Sequence, residues 1–136
     1  MTLDKESTVE VRTSASAALI PTIRAVASDL AARADFDLDA IADLRMAVDE
    51  VCATLVDVAA PSATLRCTFL VHHERIEVHA EVQADRSDAV LSTDTFGWRV
   101  LQTLADKVSV HHAPGLSGNG AIVGIRLAKH AGDPPR

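Results

Sequence analysis

The stretch from Leu38 to about Ala60, LDAIADLRMAVDEVCATLVDVAA, constrains this chain more than any other. Ile41, Leu44, Val48, Val51, Leu55 and Val58 recur at intervals of three and four, the spacing of a buried helical stripe. Asp37 and Asp39 stand where a helix N-cap is expected. Asp43 falls in the early turns, where the dipole favours acids, and Pro61 marks the end. A second face carries Met46, Glu50, Thr54 and Asp57. Glu50 therefore projects from the flank of a core helix, where an acid either meets a ligand or partner or stays solvated. Spacing alone favours the solvated reading.

After Pro61 the period changes to two. Ala63–Val71 (ATLRCTFLV) and Arg75–Val82 (RIEVHAEV) read as paired strands with His72-His73-Glu74 as the turn. Leu65, Cys67, Phe69 and Val71 share one face, as do Ile76, Val78, Ala80 and Val82. Arg66, Thr68, Glu77, His79 and Glu81 share the wetter one. Upstream, Thr8–Thr13 alternates as a strand, and Ser14 and Ser16 are candidate caps. Ala17–Arg33 is a helix with the stripe Leu19, Ile23, Val26 and Leu30, its regular part beginning near Ile20 because Pro21 fits only a first turn. The link Ala34–Asp37 is short enough to make the two helices antiparallel neighbours. Downstream, Gln83–Asp94 reads as a loop and Thr95–Asp106 as a helix burying Trp98, Leu101 and Leu104. Lys107–His112 is a strand, Ala113–Asn119 a glycine-rich loop and Gly120–Lys129 the last strand. The expected architecture is a two-layer α/β sandwich of order β-α-α-β-β-α-β-β, with three helices on one face of a mixed sheet. Residues 8–129 form the single domain, flanked by a flexible N-terminus (1–7) and a flexible tail (130–136).

Composition narrows the function classes. Aromatic residues are 3% of the 136 and tyrosine is absent, so the core is aliphatic and no base-stacking platform for nucleic acid is available. A net charge of −6 disfavours phosphate-backbone binding and suits a basic protein partner. The N-terminal MTLDKESTVE is polar, and no apolar run approaches the roughly 20 residues that span a bilayer, which reads as a cytoplasmic protein with no membrane partner. Cys52 and Cys67 are too few for a disulfide scaffold. Buried free thiols are the default reading and a redox pair the alternative.

The histidines carry no metal signature, because the neighbours His72-His73 and His111-His112 point to opposite strand faces and no Cys or carboxylate has zinc spacing. Solvated histidines are the expectation. No nucleophile-elbow pattern accompanies the Ser, His and Asp residues. PGLSGNG lies between strands and opens no helix, so it reads as a hairpin loop. Thr93-Asp94-Thr95-Phe96-Gly97 does precede a helix. Its free amides suit a phosphate, and Thr93, Asp94 or Thr95 suits an ordinary N-cap.

The stretch IADLRMAVDEVCATLV, with DFDLDA before it, resembles the first nucleotide-box helix of the anti-sigma-factor serine kinases of the RsbW and SpoIIAB type, members of the GHKL (Bergerat-fold) ATPase superfamily. The resemblance runs from about Val9 to Lys129 and is nearest to the actinobacterial RsbW branch, also called UsfX. It implies an ATP site, a homodimer, an alternative sigma factor as the bound partner, and an anti-anti-sigma antagonist that active members phosphorylate on serine. It places Glu50 on the box glutamate, a general base. Thr54 falls where the family has an asparagine that ligates Mg²⁺, and Val58 where it has a histidine. A threonine hydroxyl substitutes poorly for an amide carbonyl on Mg²⁺. The second box, Asp-x-Gly-x-Gly, corresponds to Val82-Gln83-Ala84-Asp85-Arg86, so Asp85 reaches the adenine position only if shifted. Of the third box only Gly97 remains. Arg24 falls on a family arginine at the surface used for sigma factor and antagonist, with a solvated helix arginine as the alternative. The implied function is an anti-sigma factor with a degenerate nucleotide site, where ATP with Mg²⁺ binds weakly or not at all. An active ATP-dependent protein serine kinase is the alternative, and a nucleotide sensor without chemistry a third. Whether the chain is an enzyme stays open at this point, with the weight against it.

Overall fold

A computed structural model describes residues 6–86, 88–115 and 120–132. The elements are β1 (Ser7–Ser14), a 3₁₀ turn (Ala17–Leu19), α1 (Ile20–Arg33), α2 (Leu38–Val58), β2 (Thr64–His72), β3 (Arg75–Ala84), α3 (Phe96–Leu104), β4 (Lys107–Pro114) and β5 (Ala121–His130). The five strands form one sheet in the order β1-β2-β3-β5-β4. The helices pack on one face of it, giving the expected two-layer α/β sandwich.

The sheet is not mixed: all four pairings are antiparallel. The reason lies in the connections. One crossover helix returns the chain to the starting end of a strand and makes the next strand parallel. Between β1 and β2 there are two helices, so the chain reverses once more. Between β3 and β4 there is one, and those strands do run parallel, but β5 inserts between them and opposes both.

Local chemistry fixes each element. Asp37 caps α2, its Oδ1 accepting the Ala40 N–H at 2.8 Å. At the other end of α1 the chain closes a Schellman turn. Asp35 takes the left-handed conformation (φ 61°), its N–H donates to the Ala32 carbonyl, and the Phe36 N–H donates to the Ala31 carbonyl at 3.0 Å. Phe36 is buried beneath that turn. α2 ends at Val58, before Pro61; Ala59 is extended and bridges Ala84 at the end of β3.

The core is aliphatic, with Leu44, Val48, Val51 and Leu55 of α2 lying over Leu65, Cys67, Phe69, Ile76, Val78, Ala80 and Ile125. Ile41 and Val58 are only partly buried against it. On α1 the buried stripe is Ile23, Ala27, Leu30 and Ala31, rotated from the expected one; Val26 is half-buried. Alanine at 27 and 31 lets α1 lie close against α2, so the small residues face inward and the larger Val26 moves to the rim. Trp98 is likewise half-buried, packed against the core without being enclosed by it. Lys129 reaches back from β5 to Asp43 (3.2 Å), tying the first turns of α2 to the sheet. β5 continues through His130, and Ala131 is held on both sides: its N–H donates to the Glu74 carbonyl and its carbonyl accepts the Asp37 N–H. His130 and Ala131, expected in the tail, are thus hydrogen-bonded to the rest of the fold. Residues 133–136, most of the N-terminal segment and residues 116–119 of the glycine-rich loop lie outside the described residues.

Candidate functional site

The middle of α2 organises the site. Four of its successive side chains leave the helix in different directions: Val48 and Val51 into the core, Asp49 towards α1 and Glu50 towards α3.

Glu50 and Gly97 are brought into direct contact. A Cβ built on Gly97 would fall on the Glu50 carboxylate, with the Glu50 Cδ 2.9 Å away. Gly97 is the second residue of α3, whose N-cap is Thr95; the Thr95 hydroxyl accepts the Trp98 N–H at 3.0 Å. Thr95 thus proves to be an ordinary cap. α3 has no acid in its own first turn. Glu50 supplies one from the neighbouring helix, where the N-terminal end of the dipole favours a negative charge. Glu50 makes no hydrogen bond or ion pair among the described residues.

Thr54 stands one turn beyond Glu50 on the same flank of α2 and is half-buried. Asp85 is exposed, just past the end of β3. The Ala59–Ala84 bridge places that end beside the C-terminus of α2. Four residues of helix carry the chain from Thr54 to Val58, about 6 Å at the usual rise. Asp85 therefore lies towards the C-terminal end of α2, away from Glu50.

Arg24 has a partner on the neighbouring helix. Its guanidinium donates to Asp49 Oδ2 at 3.0 Å, and both side chains are about a third exposed, 35% and 38%. The other carboxylate oxygen, Asp49 Oδ1, is buried without a partner. Asp49 is the residue that motif reading passed over. Its signal was its place on the α1 side of α2, directly before Glu50. The Arg24–Asp49 pair fixes the arginine in orientation and ties the α1 surface to the helix turn that carries Glu50.

The donor set is a poor match to a magnesium nucleotide. The position that should offer an amide carbonyl offers a hydroxyl, and Mg²⁺ prefers carboxylates and phosphates in near-octahedral order. The space beside Gly97 is filled by a carboxylate, which repels phosphate. Among the described residues there is also no group of three or more His, Cys, Asp or Glu side chains placed to hold a metal ion.

The histidines occupy the sheet's open face more closely than solvated side chains would. His72 Nε2 lies 2.6 Å from Glu77 Oε2. His111 lies over Gly124, where the missing side chain lets its Nε2 come within 3.5 Å of Glu81, two strands away. Glu81 is also paired with Arg66. Burial and then the charge of Arg126 hold both His79 and His111 below the ordinary imidazole range. His112 points the other way and accepts the Leu91 N–H at 3.2 Å, pinning the irregular segment before α3.

The family model "Histidine kinase-like ATPase domain" matches residues 13–126. Anti-sigma-F factor RsbW from two strains of Mycobacterium tuberculosis is 36% identical over 122 residues, spanning 88% of this chain and 71% of the relative. Among solved structures, the histidine kinase domain of a blue-light activated histidine kinase from Erythrobacter litoralis aligns with a TM-score of 0.49 at 15% identity, covering 93% of this chain and 69% of that one. The chain belongs to the histidine kinase-like ATPase domain family, in the branch that contains the RsbW anti-sigma factors.

Proposed function

We propose that this chain is an anti-sigma factor. It binds and inhibits an alternative sigma factor of the stress or sporulation type, and an anti-anti-sigma antagonist releases it. The observation that carries this reading is the 36% identity to an anti-sigma factor, extending over 88% of the chain. Charge supports it. From Ile20 to Val58 the two long helices and the link between them hold eight acids (Asp29, Asp35, Asp37, Asp39, Asp43, Asp49, Glu50 and Asp57) against Arg24, Arg33 and Arg45. Such a helical layer attracts a basic protein surface and speeds its encounter. Arg24, held by Asp49 within this acidic field, is the proposed point of partner contact.

ATP with Mg²⁺ is proposed to be bound weakly or not at all through Glu50, Thr54, Asp85 and Gly97. A homodimer and a cytoplasmic location complete the reading. The test is complex formation between the purified chain and candidate alternative sigma factors, followed by calorimetry. A complex in the micromolar range or tighter supports the proposal; no complex with any candidate refutes it. The kinase reading has one observation in its favour, the seating of Glu50 at the start of α3. Transfer of labelled phosphate from ATP to an antagonist protein, lost in Glu50→Gln, would establish it in place of the degenerate site.

A further inference from the structure

The open face of the sheet, away from the helices, carries charge of the opposite sign to the helical layer. Its cations are Arg12, Arg66, Arg75, Lys107 and Arg126, one from each strand, and all are exposed. The carboxylates that its strands set against them are Glu10, Glu77 and Glu81. This face is therefore net positive in a chain whose total charge is −6.

The register concentrates that charge. Arg12 stands directly opposite Arg66. Like charges facing each other across strands work against the sheet. Glu10 serves both arginines, 3.3 Å from Arg12 and 3.6 Å from Arg66, and Glu81 also pairs with Arg66. Arg126 has no such relief. Its neighbours on β3 and β4 are His79 and Ser109, and it makes no hydrogen bond or ion pair among the described residues. Beside the arginine pair the face dips into a hollow of about 360 Å³, where Ser62, Thr64 and Gln83 join Arg12 and Arg66 in the wall. A face kept for stability alone gains from opposite signs at facing positions. This one gives up stability to hold guanidinium groups in the open, two of them at a hollow lined with further hydrogen-bonding side chains.

We propose that the open face of the sheet is a docking surface for an acidic segment of a partner protein, with Arg12 and Arg66 taking one carboxylate at the hollow and Arg126 taking another. Arg66 and Arg126 stand two strands and one row apart, about 12 Å by ordinary sheet spacings. An extended chain covers that distance in about four residues, and at that separation its side chains point the same way. The segment therefore presents its carboxylates at alternating positions. Charge selects a protein over nucleic acid. Glu10 and Glu81 interrupt the positive run, so a continuous phosphate backbone would meet them, whereas a protein places its carboxylates singly. Among the described residues no Phe or Trp lies on this face to stack a base. The surface is on the other side of the sheet from Arg24. An acidic segment here leaves the acidic helical layer free for a basic partner, and its binding does not depend on the anti-sigma reading.

The test is fluorescence anisotropy of the whole chain with a labelled dodecapeptide of alternating Ser and Glu. The alternating Ser and Gln peptide, an oligothymidylate and phosphatidylserine vesicles are run beside it. The Ser-Glu peptide is expected to bind, the Ser-Gln peptide not, and added salt should weaken the complex. Arg126→Glu and Arg12→Glu should each weaken it roughly fivefold. Arg45→Glu makes the same change in net charge from an exposed position on α2, and should leave binding within about twofold, since its charge is screened across the sandwich. Circular dichroism of each variant checks that the fold is kept. The proposal is overturned if the Ser-Glu peptide does not bind, or if Arg45→Glu weakens binding as much as the two open-face variants. It is equally overturned if the oligonucleotide or the vesicles bind more tightly than the peptide. A parent dimer that Arg126→Glu turns into a monomer in sedimentation would also overturn it, giving the face to a second copy of the chain.

Discussion

Gly124 and Gly97 both lack room for a side chain, yet alanine at the two positions should have unequal consequences. At Gly124 a Cβ would meet the His111 ring and also the Ala80 carbonyl oxygen at 2.7 Å. The ring can swing out over the open face; the carbonyl cannot, because it belongs to β3, paired on both sides at the centre of the sheet. Overpacking of this kind costs about 1–3 kcal/mol. Alanine recovers about 0.5–1 kcal/mol of the entropy that glycine spends in a strand. Gly124→Ala should therefore lose about 1–2 kcal/mol net, a fall in Tm of roughly 3–8 °C for a domain of this size. At Gly97 every close atom belongs to the Glu50 side chain, which rotates away at a cost of about 0.5–1.5 kcal/mol. That is offset by a helix-propensity gain of similar size. Gly97→Ala should stay within about 0.5 kcal/mol of the parent, and Gly97→Ala with Glu50→Ala should be more stable than Glu50→Ala alone. Thermal and urea unfolding of the six proteins (parent, both glycine variants, Glu50→Ala, its double, and Gly124→Ala with His111→Ala) decides it. Adding His111→Ala should not restore Gly124→Ala, since the Ala80 clash remains. A Gly124→Ala as stable as the parent, or a Gly97→Ala less stable than Gly124→Ala, would refute the reasoning.

Other expectations concern charge and core. His79 and His111 titrate below their ordinary value of 6.5, so the unfolded chain binds those protons more tightly; their contribution to stability is complete above that range and is lost as pH falls through it. NMR titration of the ring protons should show both values rising towards normal in Arg126→Gln, where the second cause is removed. Glu77 adds a further acid-side loss below its ordinary 4.5: burial raises its carboxyl, but the His72 hydrogen bond and the Arg75 charge outweigh this and hold it low. A double-mutant cycle on Arg24→Ala and Asp49→Ala should give a coupling of only about 0.2–1 kcal/mol in urea unfolding, because solvent screens a pair this exposed; a coupling above about 2 kcal/mol would mean the pair is sealed. Phe69→Ala, at a fully buried position, should cost about 3–5 kcal/mol by the same assay.

The long apolar periods were legible in the sequence because each answers to one surface. α2 lies on the sheet along its whole length, so its stripe is read directly from Leu44, Val48, Val51 and Leu55. β2 and β3 have one covered and one open face, so their alternation is unambiguous. α1 was misread by one position because hydrophobicity ranks Val26 above Ala27 and Ala31, whereas close helix approach prefers the smaller residues. The strand directions needed the parity of helices between strands together with the insertion of β5, and no local pattern carries the second of these. For the candidate site, the resemblance singles out Glu50 and Gly97, but their contact arises from the docking of α3 on α2. Asp49 went unnoticed because it belongs to no box. The histidines were placed on the right faces, but their partners lie on other strands: Glu77 for His72 and Glu81 for His111.

The pairing of β1 has a kinetic meaning. β2–β3 and β4–β5 close over short turns, but β1 meets β2 only after about fifty intervening residues have folded into two helices, and the entropy of closing a loop rises with its length. β1 is also an edge, bonded on one side alone. The first of the five strands is thus expected to be the last to find its neighbour, and in the finished protein the first whose amides yield to exchange. Until the α1–α2 hairpin has formed, the free flank of β2 stays open to any extended segment that reaches it first.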